Sequence, residues 1–292
     1  MKIKKCFPLN HFQILKIGLN LTSFIIMMNR ILIPTDFSEF ATYALEFAAF
    51  FAQRSGGSLC VVTVLRSKKE SAYQEAEKKI EELSKLDMLK HVNIESIIKI
   101  GDSIRDEILD AAEEFKADLI IMGSNGASLI GEILLGSNTE KVIRKSNFSV
   151  LTIKHQMITY RLDSIVFASD FADKNNKAFK AVRKLAQLFN AKVYLLKINT
   201  PTRFEPTRVS LEKINDFIKA QQLDTLLKDK YEIVLYADST EELGIMNYCI
   251  ENEIDLISLA TSGKKAIWKF FNESTSQNLV NHSFRPVLTV KA

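Results

Sequence analysis

The chain carries one pattern twice, and this internal repeat constrains its fold more than any other feature. Three short motifs, each in or beside an apolar strand-like run, occur once in each half: Asp36-Phe37 and Asp170-Phe171, Asp118-Leu119-Ile120 and Asp255-Leu256-Ile257, and Val150-Leu151-Thr152-Ile153-Lys154 and Val287-Leu288-Thr289-Val290-Lys291. The first pair is 134 residues apart and the other two are 137 apart. A period this long indicates a duplicated domain, because stacked repeat units run to about 20–50 residues.

Within the first copy, short apolar runs alternate with amphipathic helical patterns. The runs are rich in Ile, Val and Leu with little polar alternation, which is typical of parallel strands buried on both faces. These predicted strands are Ile31–Ile33, Leu59–Leu65, Val92–Ile100, Leu119–Met122 and Val150–Ile153. Helical spacing separates them, as in the segment that follows a predicted N-cap at Ser103. The pattern predicts an α/β class chain with two tandem, doubly wound domains.

Residues 1–27 form a prefix that precedes the first strand. It contains Lys2, Lys4, Lys5 and Lys16 and no acidic residue, and its longest uncharged run is too short to span a bilayer. Because Met28 stands directly before the strand, we favour an upstream start that does not belong to the functional chain. A real extension and a weak export or membrane signal remain alternatives. The predicted domains are then 28–155 and 160–292, with no membrane span.

Charge and cysteine usage exclude several classes of protein. The net charge of +4 comes from the four prefix lysines, since the rest of the chain has 35 basic and 35 acidic residues. We therefore expect no nucleic-acid partner. The three cysteines, Cys6, Cys60 and Cys249, are far apart, which argues against a disulfide scaffold or a Cys-x-x-Cys site. A cytoplasmic location follows as an expectation.

The segment that indicates chemistry runs from Met122 to Thr139. Gly123 and Gly126 are followed, after nine residues, by Gly136-Ser137-Asn138-Thr139, between a buried strand and a predicted helix over Thr139–Lys145. Glycines let successive N–H groups face an anion, and the N–H groups at a helix start complete a phosphate cradle. Two structural interpretations stay open: the glycines can serve tight packing alone, and Asp36 can serve as the cap of a helix that starts near Ser38.

The Gly-x-x-Gly-x9-Gly-Ser pattern resembles the ATP-binding signature of the universal stress protein family. The opening Ile31-Leu32-Ile33-Pro34-Thr35-Asp36-Phe37-Ser38 is also similar to that family's first strand and turn. The resemblance covers residues 28–292 and implies two Rossmann-like domains, each a five-stranded mainly parallel sheet with helices on both faces. It implies ATP as ligand, with Mg²⁺ accompanying the phosphates. The implied nucleotide-binding residues are Pro34, Thr35, Asp36, Val64 (through its backbone), Met122, Gly123, Gly126, Gly136, Ser137, Asn138 and Thr139. Asn125 and Asn138 stand where many members carry His and Val.

The second copy departs from this pattern. Its corresponding segment reads Ala260-Thr-Ser-Gly263 and then, nine residues later, Glu273-Ser274. A carboxylate at the expected phosphate position repels a triphosphate, and its Cβ restricts positive φ. We therefore expect the second copy not to bind nucleotide. Trp268, inside the altered segment, is either core packing or a partner contact.

No catalytic residue or metal site is predicted, because no nucleophile–base pair and no metal-ligand spacing occurs among the motifs searched. Any ATP hydrolysis is expected to be slow. Two functions remain: a stress-response protein regulated by ATP in its first domain, and a nucleotide-free scaffold that acts through contacts with an unknown protein partner. The family's habit of pairing edge strands further implies that Val150–Ile153 and Val287–Val290 join the two copies as an internal pseudo-dimer. Further dimerisation is left open.

Overall fold

The computed structural model describes residues 5–6, 28–124, 137–157, 160–173, 178–261 and 285–291. The strands are β1 (Lys5–Cys6), β2 (Arg30–Pro34), β3 (Ser58–Leu65), β4 (Asn93–Ile100), β5 (Leu119–Gly123), β6 (Ser149–Ile153), β7 (Ser164–Ala168), β8 (Lys192–Asn199), β9 (Tyr231–Ala237), β10 (Leu256–Thr261) and β11 (Val287–Lys291). The α-helices are α1 (Glu39–Ser55), α2 (Glu70–Ser84), α3 (Ile104–Phe115), α4 (Ser137–Lys145), α5 (Phe179–Phe189), α6 (Thr207–Gln221), α7 (Leu223–Leu226) and α8 (Glu241–Glu251), and a 3₁₀ helix spans Asp87–Leu89.

These strands form one sheet in which each half repeats the same order. The first half reads β4-β3-β2-β5-β6, and the second reads β9-β8-β7-β10-β11. All pairs within a half are parallel. The α/β class and the mainly parallel five-stranded sheets predicted from the sequence are confirmed, and the five predicted strands match β2 to β6 to within one residue at each end.

The helix that follows the first strand shows how local sequence sets an element. Ser38 is the N-cap of α1, and its side chain accepts a hydrogen bond from the Ala41 backbone N–H. Alanines and phenylalanines line the buried face of α1, so the helix packs closely on the sheet. The helix ends at Gly56, which has φ +66° and so takes the left-handed conformation that glycine tolerates best.

The two halves meet in one antiparallel strand pair, β6 with β11. Leu151 faces Leu288 in the register, and both side chains are fully buried. The hydroxyl of Thr152 donates to the Val287 carbonyl (3.3 Å), and that of Thr289 donates to the Val150 carbonyl (3.0 Å). The repeated Val-Leu-Thr motif therefore forms the seam between the copies, and the expected intrachain pairing is present.

Aromatic side chains reinforce this seam on one face of the sheet. The ring of Phe189 in α5 lies 5.3 Å, centroid to centroid, from the rings of both Phe50 and Phe51 in α1. The Tyr160 hydroxyl donates to Glu46 Oε2 at 2.7 Å, which fastens the connecting segment to the same helix. Each of the two apolar layers, one on either side of the sheet, contains residues from both halves.

The repeated Asp-Leu-Ile motif has a structural role at the amino ends of the strands. Asp118 Oδ2 accepts hydrogen bonds from the backbone N–H groups of Asn29 (2.9 Å) and Arg30 (3.1 Å). Asp255 Oδ2 accepts the corresponding bonds from Asp163 (2.8 Å) and Ser164 (3.0 Å). Each carboxylate thereby fixes the start of the first strand of its own half.

The part of the prefix that the structure describes touches the sheet. β1 pairs antiparallel with β4, so that Lys5 faces Ser96 and Cys6 faces Glu95. The rest of residues 1–27 lies outside the described residues, and the alternatives for the prefix stay as predictions. Among the helices described, none combines the length and the apolar character that crossing a membrane requires.

The seam yields a stability prediction. Thr289→Val removes the hydroxyl that bonds the Val150 carbonyl while nearly keeping the side-chain volume, so we expect the free energy of unfolding to fall by about 1 kcal/mol. Urea denaturation measures this change. The control is Thr225→Val at an exposed position in α7, where a change within about 0.5 kcal/mol is expected. Equal effects of the two substitutions would contradict the role given to the seam hydroxyl.

Candidate functional site

The strand order of the first half predicts a ligand crevice at the point where that order reverses. β2 pairs with β3 on one side and with β5 on the other, and the connections through α1 and α4 leave in opposite directions. Ligands of open α/β sheets bind at the carboxyl ends of the strands at such a point. Pro34 ends β2 and Gly123 ends β5, so the structure places both predicted segments at this crevice.

The turn that leaves β2 is held by its own side chains. Thr35 Oγ1 accepts the Phe37 N–H at 3.0 Å, and Asp36 Oδ1 accepts the Ser38 N–H at 3.0 Å. The turn needs the left-handed φ of +63° that Phe37 adopts. Asp36 is therefore not the helix cap, since Ser38 takes that position, and its exposed carboxylate shapes the turn instead.

The second half builds the same turn. Ser169 Oγ accepts the Phe171 N–H, and Asp170 Oδ1 accepts the Ala172 N–H, both at 3.0 Å. Phe171 has φ +55°, matching Phe37. Because the second copy lacks two of the three glycines, this turn belongs to the fold and is not by itself a sign of a ligand.

Gly123 and Thr139 join the two elements on the other side of the crevice. A Cβ at Gly123 would lie 2.3 Å from the Phe40 carbonyl oxygen, so only glycine allows α1 to approach β5 this closely. The Thr139 hydroxyl donates to the Gly123 carbonyl at 3.0 Å, which ties the first turn of α4 to the end of β5. Both residues thus have structural roles, and the Thr139 hydroxyl proton is not free to bond a ligand because it is donated to the Gly123 carbonyl.

The remaining predicted residues differ in what they expose. The side chains of Pro34 and Met122 are buried, which leaves their backbone for contact, whereas Val64 and Asn138 are half-buried at the crevice side. Ser137 is the first residue of α4. Gly126 and Gly136 lie outside the described residues, as does Asn125, so the shape of the glycine loop stays a prediction.

Ser124 is a polar residue of this region that the sequence analysis did not single out. Its backbone N–H donates to the Ile153 carbonyl at 2.9 Å, and its Oγ is fully buried without a hydrogen-bond partner. A buried hydroxyl without a partner costs about 1–3 kcal/mol. The Oγ of Ser258, inside β10, is in the same condition, so the feature does not identify a ligand on its own. Only its place beside the glycine loop distinguishes Ser124.

Two basic residues follow β6, beside the carboxyl end of the neighbouring strand β5. Burial lowers the pKa of Lys154 to about 8, and burial together with the nearby Lys154 lowers the pKa of His155. With a pKa near 8, Lys154 is mostly protonated at pH 7 and adds positive charge one residue from the Ile153 carbonyl that holds Ser124. Lys154 closes the first copy of the repeated Val150–Lys154 motif, but that motif did not indicate that its side chain would be partly buried.

Gly101 is a further residue at this edge that the motif search did not name. Its backbone N–H donates to the Leu65 carbonyl at 3.0 Å, which brings the β4–α3 turn beside Val64. The sequence signal that could have identified this turn is the position of Gly101 directly after the predicted strand Val92–Ile100. In the part of the chain that the structure describes, no group of three or more His, Cys, Asp or Glu residues could hold a metal ion.

The second half differs at a described residue of the equivalent region. Ala260 stands where Gly123 stands in the first half, and its Cβ excludes the same close approach of a helix. α5 begins at Phe179, and residues 174–177, which correspond to the start of α1, lie outside the described residues. Gly263, Glu273 and Trp268 lie outside the described residues, so the expectations placed on them remain predictions.

Comparison with known proteins agrees with this description. The model of the universal stress protein family matches twice, at residues 27–154 and 162–291. The universal stress protein MJ0577 of Methanocaldococcus jannaschii is 31% identical over 159 residues, which is 45% of this chain and 98% of that protein. The universal stress protein Slr1230 of Synechocystis is 23% identical over 296 residues, covering 90% of this chain and all of that protein.

A solved structure shows the same fold over nearly the whole chain. The universal stress protein from Archaeoglobus fulgidus superimposes with a TM-score of 0.70 at 22% identity, covering 91% of this chain and 97% of that chain. Together, the two family matches and this superposition account for both halves and their arrangement. The chain therefore belongs to the universal stress protein family, as a tandem of two such domains.

Proposed function

We propose that the first domain binds ATP, with Mg²⁺ on the phosphates, and that this binding regulates a cytoplasmic stress-response protein. The observation that carries the proposal is the position of the Gly123-x-x-Gly126-x9-Gly136-Ser137 sequence at the strand-order reversal. The motif starts at the end of β5 and finishes at the start of α4, so its glycines connect the two elements that border the crevice.

In this proposal, different residues contact the base, the nucleoside and the phosphates of ATP. The β3 end, with the Val64 backbone, faces the base, and the turn of Pro34, Thr35 and Asp36 faces the nucleoside. The glycine loop and the N-terminal N–H groups of α4 face the phosphates. Thr139 contributes through its backbone and the lone pairs of its oxygen, because its hydroxyl proton is donated to Gly123.

Local charge is consistent with an anionic ligand. Lys154, which is partly buried, adds positive charge beside the carboxyl end of β6, and Ser124 offers a buried hydroxyl that a polar ligand group can satisfy. The described residues supply no metal cluster, so we assign Mg²⁺ to the phosphate oxygens. Since no general base or arginine finger is identified, any hydrolysis of ATP is slow.

The second domain, in this proposal, is a copy without nucleotide that completes the internal pseudo-dimer and contacts an unidentified protein partner. Ala260 in place of Gly123 supports this assignment. Glu273 adds a like charge at the expected phosphate position.

One alternative has specific structural support. Gly123 is required by the Phe40 backbone, Thr139 is bonded to Gly123, and the Asp36 turn is repeated at Asp170. Each of these residues has a reason to be present without a ligand. A nucleotide-free scaffold is therefore the second candidate, and only the glycines at 126 and 136 separate the two functions.

The first prediction concerns ATP binding itself. Isothermal titration of the full chain is expected to show binding of ATP in the presence of Mg²⁺. Gly136→Glu, which places a carboxylate in the phosphate cradle, is expected to weaken it at least about tenfold, or 1.4 kcal/mol. Gly123 is unsuited to this test, because any Cβ there displaces α1.

Thr225→Glu is the matched control, since it adds the same charge at an exposed position of the second half. It should bind ATP as the natural chain does, and circular dichroism should show all three proteins folded. Equal affinity in the Gly136→Glu variant would remove the glycine loop from the site. An absence of heat with ATP in the natural chain would favour the scaffold.

The next prediction is the stoichiometry. Titration to saturation is expected to give one ATP per chain, because the second copy has lost two of the three loop glycines. Equilibrium dialysis with radiolabelled ATP gives the number directly. Two equivalent sites, or one full site left in the Gly136→Glu variant, would show that the second domain also binds.

A further inference from the structure

Among the strands that the structure describes, β9 is the last of the sheet, and its outer edge has no partner. Strand order places β9 last, and no described strand pairs with its outer side, whereas β4 at the opposite end carries β1. β9 has seven residues, Tyr231-Glu232-Ile233-Val234-Leu235-Tyr236-Ala237, without proline, glycine or lysine. Natural edge strands often carry proline or charged residues, lysine above all, because an unprotected edge pairs with another chain; Glu232 is the one charged residue within β9.

Hydrogen bonds to β8 decide which β9 residues face outward. The Lys230 carbonyl accepts from Val193 N–H (2.9 Å), and Asp238 N–H donates to the Asn199 carbonyl (3.0 Å). Because the bonding direction alternates along a strand, the even-numbered residues between them also bond to β8. The backbone groups of Tyr231, Ile233, Leu235 and Ala237 therefore point to the open edge.

We propose that two copies of this chain pair through β9, antiparallel and with Val234 on the two-fold axis. In this register, the outward-facing residues meet each other: Ile233 faces Leu235 of the second copy, and Tyr231 faces Ala237. Their backbone groups can thus exchange hydrogen bonds in pairs.

Charge favours this register over the registers centred on Glu232 and on Leu235. Lys230 of one copy faces Asp238 of the other, an opposite-charge pair that favours cross-strand pairing. Placing the axis at Glu232 sets two carboxylates opposite each other, and placing it at Leu235 sets Glu232 opposite Asp238. Both arrangements are unfavourable. The Val234 register also uses all seven residues of the strand.

An antiparallel, edge-to-edge strand pair already joins the two halves within one chain. β6 and β11 join the halves of one chain edge to edge and antiparallel, with alternating apolar side chains on both faces. Side chains of β9 are likewise apolar on both faces: Ile233 and Leu235 pack toward one layer and Val234 and Tyr236 toward the other. A second copy extends both layers, which accounts for the half-exposure of these side chains in one chain.

Disulfide trapping tests the register in the full chain. In a Cys6→Ser background, the two native thiols that remain, Cys60 and Cys249, are buried. Val234→Cys places two thiols on the axis, where the Cα atoms of a non-hydrogen-bonded pair are about 4.5 Å apart, within disulfide range. Mild oxidation is expected to yield a cross-linked dimer of twice the 33.1 kDa chain mass.

Glu232→Cys is the matched control on the same strand. In the proposed register, the two copies of residue 232 are about 13 Å apart along the strands, too far for a disulfide. Cross-linking at position 232 as efficiently as at 234, or at neither position, would overturn the proposal.

Sedimentation velocity provides a second, independent readout. Leu235→Pro removes an N–H that points outward, so it breaks the dimer contact while keeping the bonds to β8. The natural chain is expected to sediment as a dimer and this variant as a monomer with unchanged circular dichroism. A dimer that persists in Leu235→Pro, or that disappears when residues 1–27 are deleted, would overturn the β9 pairing.

Discussion

One antiparallel strand pair, β6 with β11, determines how the rest of the molecule is arranged. Each half forms a parallel sheet that ends in a strand with an open edge, and the seam covers both edges at once. Leu151 and Leu288 are buried across it, and the hydroxyls of Thr152 and Thr289 bond its carbonyls. Because this pair is antiparallel, the strands of the two halves run in opposite directions. Their carboxyl ends therefore lie on opposite sides of the molecule. The points at which the strand order reverses in the two halves therefore face opposite ends of the strands.

The two halves share the turn after their first strand but differ in how the first helix packs on the sheet. The turn after the first strand is the same in both, down to the positive φ of Phe37 and Phe171. The contact between the first helix and the fourth strand of the half is not, because Gly123 permits it and Ala260 does not. What separates the halves is thus the packing around one glycine, together with the loop that follows it. The proposal of one nucleotide site, in the first half, rests on the loop glycines that the second half lacks.

Much of the fold could be predicted because its signals are local. Apolar runs placed the strands, the repeat divided the chain, and Ser103 is the N-cap of α3, accepting a bond from Asp106 N–H as predicted. The seam strands could be named from their repeated sequence and the family's habit of edge pairing. The roles of Asp118 and Asp255 could not, because their partners lie about 90 residues away along the chain.

The sequence motif begins at the carboxyl end of a strand, and the structure places Pro34 and Gly123 at the ends of the neighbouring strands β2 and β5; the local bonding there could not be predicted. Ser38 rather than Asp36 caps α1, and Thr139 bonds Gly123. Ser124 was not singled out, and Lys154 was named only as part of the repeated strand motif, since the burial of a side chain leaves no mark in the spacing of residues.

The central claim is a single ATP site in the first domain, and the nucleotide that the protein retains tests it most directly. Gently purified full-length protein, denatured and analysed by mass spectrometry, should release ATP at up to one equivalent per chain, and the Gly136→Glu variant should release none. Release of equal amounts from both proteins, or of no nucleotide from a natural chain that also fails to take up added ATP, would contradict the account.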